Sequence, residues 1–508
     1  MSTRRMDIDV PAAPRERGAM EMEADTAQDA AATATPGLAQ WLGARVAALR
    51  YEDLPSPALH GARMGILDTV GVTLAGSGEP AARMAEQALD GGAGPALRLG
   101  TRQRLGVLDA ALVNGTAAHA LDFDDSSNTM GGHPSAPLVS ALLPLAEQLD
   151  SAGRDLITAY AAGFETETKL GMAVNLHHYR KGWHPTATLG CFGAAAACAR
   201  LMGLDGTATA TALALAASFA SGIKANFGTM TKPLHVGHCA RNGLYAARLA
   251  QRGFTANAAD VFEHRQGFLD VFNGPGAHDA GKAMAAWADP YDLVAPGIAF
   301  KQYPCCGSTH PAIDAMLALV REHRPRLEDV AAIDVAIHSR RLAHTNRPRP
   351  RGALDAKFSL QYVVARALAD GRVAEVDFGD DAWRDPRIAA LLPRVRVAAY
   401  DEAAGARIAE IATASRGQVD ASNHFAAHVV LALRDGRVLR ASVDQALGRT
   451  SAHPLPPALL RHKFLLCAGT ALREDAVEGI ADIIDDIDAL PRVAALTLRI
   501  EQAVRGGD

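Results

Sequence analysis

The chain has 508 residues, 49% hydrophobic and 21% charged, with a net charge of −5. That length exceeds what one hydrophobic core usually fills, so two domains of an ordinary globular protein are expected. An acidic balance without any Lys/Arg block excludes a nucleic-acid surface, apolar runs broken by Gly, Arg or Asp exclude a membrane span, and six cysteines are too few for a disulfide scaffold and suit a reducing cytoplasm.

Residues 1–36 are polar, Ala-rich and aperiodic, and read as a disordered extension; two arginines with no apolar stretch behind them make no secretory signal. Periodicity starts at LAQWLGARVAAL, where Leu38, Leu42, Val46 and Leu49 share one helical face. Helical patterns continue through SPALHGARMGILDTVGVTLAG, GVLDAALVNGTAAHALDF, RDLITAYAAGFETETKLGMAV and the stretch around Gly243–Gln251. Small residues, as in CFGAAAACARLMG, predict closely packed helices. Near residue 295 the pattern changes. VAAIDVAIHS alternates, with Ile333, Val335 and Ile337 on one face of a strand, and HVVLALRDGRVLRASV is two strands joined by Asp435-Gly436, a hairpin signal. DAKFSLQYVVARALADG between them reads as one helix closed by Gly371. After HPLPPALLRHKFLLCAG the pattern is helical again. The expected fold is mainly α with an α+β insertion: a large helical domain over 37–297, a smaller α+β lid over 298–448, and a return to the helical domain over 449–508. Repeats and Gly-rich phosphate loops are absent from the sequence.

With 18 His and 26 Pro in 508 residues, chance gives about one His-Pro pair; the chain has four, at His133, His184, His310 and His453. Lys232 precedes Pro233 in the same way. A residue before proline is pushed to extended geometry, while proline suits the first helical turn, so these stretches predict basic side chains at or beside helix N-termini. Cations and free backbone N–H groups gathered there suit a carboxylate, and the helix field favours a neutral imidazole able to accept a proton. The blander reading is a His that merely caps a helix or faces water, which is how His453, in a linker, is read.

HALDFDD places Asp122, Asp124 and Asp125 shortly before His133. Acids and imidazoles so close invite a metal, but the spacing matches no EF-hand or HExxH pattern, so no metal is expected; one Asp would orient a histidine or bind substrate and the others cap the chain. In KQYPCCGSTHP the pair Cys305-Cys306 reads as a nucleophile, a proton-transfer thiol or packing. Arg347, Arg349 and Arg351 in a Pro-rich loop read as a carboxylate clamp or as solvated arginines.

Taken together, HALDFDD, HPSAP, GWHPTATLG, TKPLHVGHCARNG, KQYPCCGSTHPAID and KFSLQYVVA resemble the MmgE/PrpD family, over about residues 37–500. That family includes 2-methylcitrate dehydratase, cis-aconitate decarboxylase and iminodisuccinate epimerase. The resemblance implies a helical domain with an inserted α+β lid, a homodimer, no metal or organic cofactor, and a small di- or tricarboxylate substrate. It implies catalytic roles for Asp122, His133, His184, Lys232 and Cys306, and substrate contacts from Ser126, His235, Lys301, Tyr303, His310, His344 and Arg347. Ser126 stands where the family often has Thr. Cys306 stands where the decarboxylases have a second imidazole, and His344 where they have Tyr. These departures shift the expected reaction from decarboxylation toward dehydration, with epimerisation next and a non-catalytic carboxylate binder last.

Overall fold

A computed structural model describes residues 36–285, 287–379, 381–403 and 423–506. The extension expected over 1–36 lies outside them except for Pro36, as does 404–422 of the insertion. The fold is mainly helical, with a smaller α+β domain in its C-terminal part.

Two large groups of buried side chains account for it. One joins helices between Leu38 and Ile298 to a returning segment between Leu455 and Val504. The helix Pro457–Ala468 lies on Ser56–Gly76, where Phe464 fills the space over Gly71 and Lys463 pairs with Asp68 at 2.7 Å. Small residues let the other helices approach closely. A Cβ on Gly115 would stand 2.7 Å from the Gly237 Cα, so the helices Val107–Ala120 and Thr231–Gln251 touch backbone to backbone. That approach brings Lys232, in the first turn of one helix, to Asp122, just past the end of the other.

The only departure from helix before residue 298 among the described elements is a ribbon of β1 (Ala93–Leu97) with β2 (Arg104–Leu105), turned at Gly100 with φ +81°. No alternating run marks so short a pair.

The second group belongs to a four-stranded sheet, order β4-β3-β5-β6, with β3 Val330–Ile337, β4 Val395–Ala399, β5 Ala427–Leu433 and β6 Val438–Val443. β3 runs parallel to β4 and antiparallel to β5, and β5 and β6 form the expected hairpin, Gly436 taking φ +90° in its turn. Ile333, Val335 and Ile337 point inward beneath the helices His310–His323 and Leu360–Asp370. The single helix expected over DAKFSLQYVVARALADG is broken. Ser359 accepts the Tyr362 N–H at 3.1 Å and restarts the chain as an N-cap, after Lys357 has turned inward to the carbonyls of Leu121 and Pro304. Gly371 closes the second piece in the left-handed region, as expected.

Candidate active site

The basic-residue–proline stretches do sit at helix starts. His184 is the N-cap of Pro185–Leu201, His133 lies two residues before Ser135–Leu149, and Lys232 and His310 occupy the first turns of Thr231–Gln251 and His310–His323. His453 instead closes a turn with Thr450, three residues before the next helix cap. His133 and His184 are tied together, because the His133 backbone N–H donates to Thr186 Oγ1 at 3.0 Å.

The three aspartates divide the work. Asp122, in the left-handed region at φ +51°, holds an ion pair with Lys232 and another with Lys301 at 3.2 Å, and Lys301 also donates to the Asp122 carbonyl at 2.6 Å. Burial alone would raise the Asp122 pKa, but the two ammonium groups prevail and hold it well below the usual carboxylate range. Asp124 is fully buried and faces two imidazoles: His119 Nδ1 at 2.8 Å and His133 Nδ1 at 3.2 Å. The His133 contact does not meet hydrogen-bond geometry. Asp125 anchors the Ser135 backbone N–H and hydroxyl, and Ser135 meets the Tyr160 hydroxyl at 2.6 Å. Burial, reinforced by Asp68, pushes the Asp125 carboxyl well above its ordinary value, and Asp125 meets the first backbone N–H of the helix Ser135–Leu149.

Burial leaves the histidines neutral. It lowers His133 below its ordinary value against the pull of Asp124, takes His119 down to about 3, and takes His184 well below 6.5 with the help of Lys232. His184 Nδ1 lies 3.2 Å from His235 Nδ1, so one ring donates and the other accepts. The His184 Nε2 is buried without a partner among the described residues.

These groups open onto one cavity of about 600 Å³. Of the residues anticipated from sequence, Asp122, Ser126, His133, His184, Lys232, Lys301, Cys306 and His344 line it. The other four do not. His235 stands behind His184; Tyr303 donates to Asp314 at 2.5 Å; His310 packs on Tyr303 and approaches the Cys305 carbonyl; and Arg347 is paired with Asp355. Arg349 and Arg351 are exposed on the same loop. The two cysteines separate cleanly. Cys305 is buried beside Thr309 with its thiol pushed up to about 12 by burial, whereas Cys306 faces the cavity.

Sequence reasoning passed over several residues. His119 lay inside a quoted motif, but its contact with Asp124, one of the three aspartates weighed from sequence, depends on where the helix Val107–Ala120 ends. Arg341 and Arg449 line the cavity from segments with no motif at all. Aromatic rings complete the wall: Phe227 and Phe358 each lie 5.3 Å from the Lys232 ammonium, and Phe425 has both guanidinium groups within 5.0 Å of its ring centre. Seven lining residues are Lys or Arg against one carboxylate, Asp122, so the cavity suits an anion with more than one negative charge.

His119, Asp124 and His133 bring three ligand-type atoms within 4.8 Å of one another, the spacing of a potential cation site. Their 2.8 and 3.2 Å contacts equally suit two imidazoles sharing one carboxylate.

Residues 38–279 match the MmgE/PrpD N-terminal domain, and residues 303–489 match the MmgE/PrpD C-terminal domain. The chain belongs to the MmgE/PrpD family. Among its relatives in that family, the cis-aconitate decarboxylase of Homo sapiens is 30% identical over 398 residues, covering 76% of this chain and 78% of the relative. The cis-aconitate decarboxylase of Mus musculus is 29% identical over 410 residues, covering 76% and 77%. That of Aspergillus terreus (strain NIH 2624 / FGSC A1156) is 26% identical over 494 residues, covering 93% and 97%.

Proposed function

We propose that this MmgE/PrpD protein is a lyase that removes a proton from a carbon next to a carboxylate of a small di- or tricarboxylate, and that its reaction is dehydration of a 2-methylcitrate-like hydroxy acid. The observation carrying this reading is a neutral imidazole backed by a buried carboxylate, His133 on Asp124, in a cavity wall that is otherwise strongly cationic.

The chemistry follows from those charges. Removing a proton beside a carboxylate drives negative charge onto that carboxylate, and Lys232 and Lys301 are the cations beside His133 that can take it up. Asp122 holds both ammonium groups in place. His133 is the base because Asp124 steadies the imidazolium it becomes; His184 is the poorer base, having no carboxylate behind it and only another imidazole. The free His184 Nε2 holds the substrate hydroxyl. The C–H electron pair forms the double bond, the C–O bond breaks, and the departing hydroxide takes a proton back from His133 to leave as water. This route needs neither metal nor organic cofactor.

Decarboxylation of a cis-aconitate-like acid is the second reading, and the names of the relatives favour it. Cys306 and His344 on the cavity wall weigh against it, since the resemblance puts an imidazole and a phenol there in decarboxylases. Incubating the protein with 2-methylcitrate and with cis-aconitate in D2O, followed by NMR, tests both. Loss of water from the first supports dehydration; carbon dioxide from the second moves the assignment to decarboxylation; no exchange or turnover with either removes the lyase reading.

A further inference from the structure

Arg341 and Arg449 reach the cavity from separate places, the helix Ser339–Thr345 and the stretch after β6. Both lie over the Phe425 ring, at 4.7 and 5.0 Å. Their contacts in the protein are neutral. Arg341 donates to Ser308 Oγ at 3.0 Å and to the His424 carbonyl, and Arg449 donates to Ser126 Oγ at 3.2 Å. Among the described residues no carboxylate lies within ion-pair distance of either guanidinium, and Arg449 Nε is buried with no hydrogen-bond partner. Burial lowers both groups, Arg341 to about 10 and Arg449 to about 9, the second with repulsion from the first. Even so both stay charged at neutral pH. Two guanidinium groups held together without an anion are costly unless a ligand supplies one. Lys232 and Lys301 differ, because they already share Asp122.

We propose that Arg341 and Arg449 form a fork for a second substrate carboxylate, remote from the carbon that loses its proton, so that the enzyme selects acids with at least two carboxylates. The inference rests on the carboxylate reading above and adds to it which residues measure the length of the acid. Planar guanidinium groups suit a carboxylate in two-point contact, and each of the two lies against the Phe425 ring, which limits its swing. Ser308 links Arg341 to His344, which it meets at 3.1 Å, so the fork also sets the position of that imidazole on the cavity wall.

The test is calorimetric titration of the full chain with tricarballylate, a saturated tricarboxylate, at fixed ionic strength. Arg341→Gln and Arg449→Gln should each weaken binding by about 10–100-fold, the range for a hydrogen bond to a charged group. Arg341→Lys and Arg449→Lys should fall between, keeping charge but losing the fork. The melting temperature of the Gln variants should hold or rise, since an unneutralised buried charge has been removed. Unchanged affinity in the Gln variants with intact wild-type binding overturns the fork alone. A melting temperature lowered in both the Gln and Lys variants assigns the arginines a structural role and also overturns it. Wild-type protein that binds no tricarballylate overturns the carboxylate reading itself, and the fork with it.

Discussion

Asp124 stands between two imidazoles, 2.8 Å from His119 and 3.2 Å from His133, and only His133 of the pair lines the cavity. His119 hydrogen-bonds the carboxylate, which also stands beside the His133 ring. The rings of His119 and His133 meet edge to face at 4.5 Å, so His119 also packs against the His133 ring.

Asp124→Asn keeps the shape but withdraws the charge that steadies an imidazolium. It should lower kcat by about 10²–10⁴-fold, the range for loss of a general base, with KM nearly unchanged. Steady-state kinetics beside circular dichroism checks this. An equal loss in 1/KM alone would make Asp124 a binding group.

Lys232→Ala removes one of the two ammonium groups on Asp122 and one cation from the cavity. It should raise KM and lower kcat together, a combined loss of about 3–4 kcal/mol in transition-state binding, by analogy with losing an oxyanion donor. Lys301 remains on Asp122, so the fold should survive. A KM effect with full kcat would reduce Lys232 to ground-state binding.

What could be read from sequence was whatever proline punctuates. Pro134, Pro185, Pro233 and Pro311 marked helix starts, but the extended geometry expected before proline is met at His184 and not at Lys232 or His310, which already belong to their helices. The rule says where a side chain begins but not which way it faces. His133, His184 and Lys232 turn into the cavity, whereas His310 turns onto Tyr303. Arg449 carried no signal because its meaning comes from Ser126, 323 residues away, and from Phe425 across the fold. Arg347 looked like the clamp because its loop is rich in arginine, yet Asp355, eight residues on, neutralises it. Strands β3, β5 and β6 were legible from alternation, whereas β1, β2 and β4 were not. The break before Leu360 was not, because the Ser359 cap competes with a pattern that is helical on both sides.

Cys306→Ser separates chemistry from packing. If the thiol moves a proton, the loss should approach that of a histidine; if it only fills space, activity should fall less than about tenfold. Since Cys305 is the buried member of the pair, we expect Cys306 alone to react with a small alkylating reagent in the native protein, and prior tricarballylate to slow that reaction. Mass spectrometry of the labelled peptide reads both.

The pH dependence has a definite sign. His133 must be neutral to act as base, and burial lowers its folded pKa, so the acid limb of kcat/KM should lie below 6.5. Stability moves the same way. His119, His310 and His344 are taken down to about 3, mainly by burial, from about 6.5 in the unfolded chain. Their stabilising contribution is whole above pH 6.5 and is lost as pH falls toward 3, at about 1.4 kcal/mol per pH unit for each group. Urea midpoints should therefore drop between pH 7.5 and 5.5. A flat midpoint would mean that these rings take up protons in the folded state.

The most direct measurement is hydrogen–deuterium exchange at the carbon beside the carboxylate, followed by NMR in D2O, comparing wild type with His133→Gln. Glutamine keeps size and polarity but cannot carry the proton. The account predicts exchange slowed by at least about 10²-fold in the variant while tricarballylate binds within threefold of wild type. Exchange near the wild-type rate in His133→Gln would contradict it and return the base to another group.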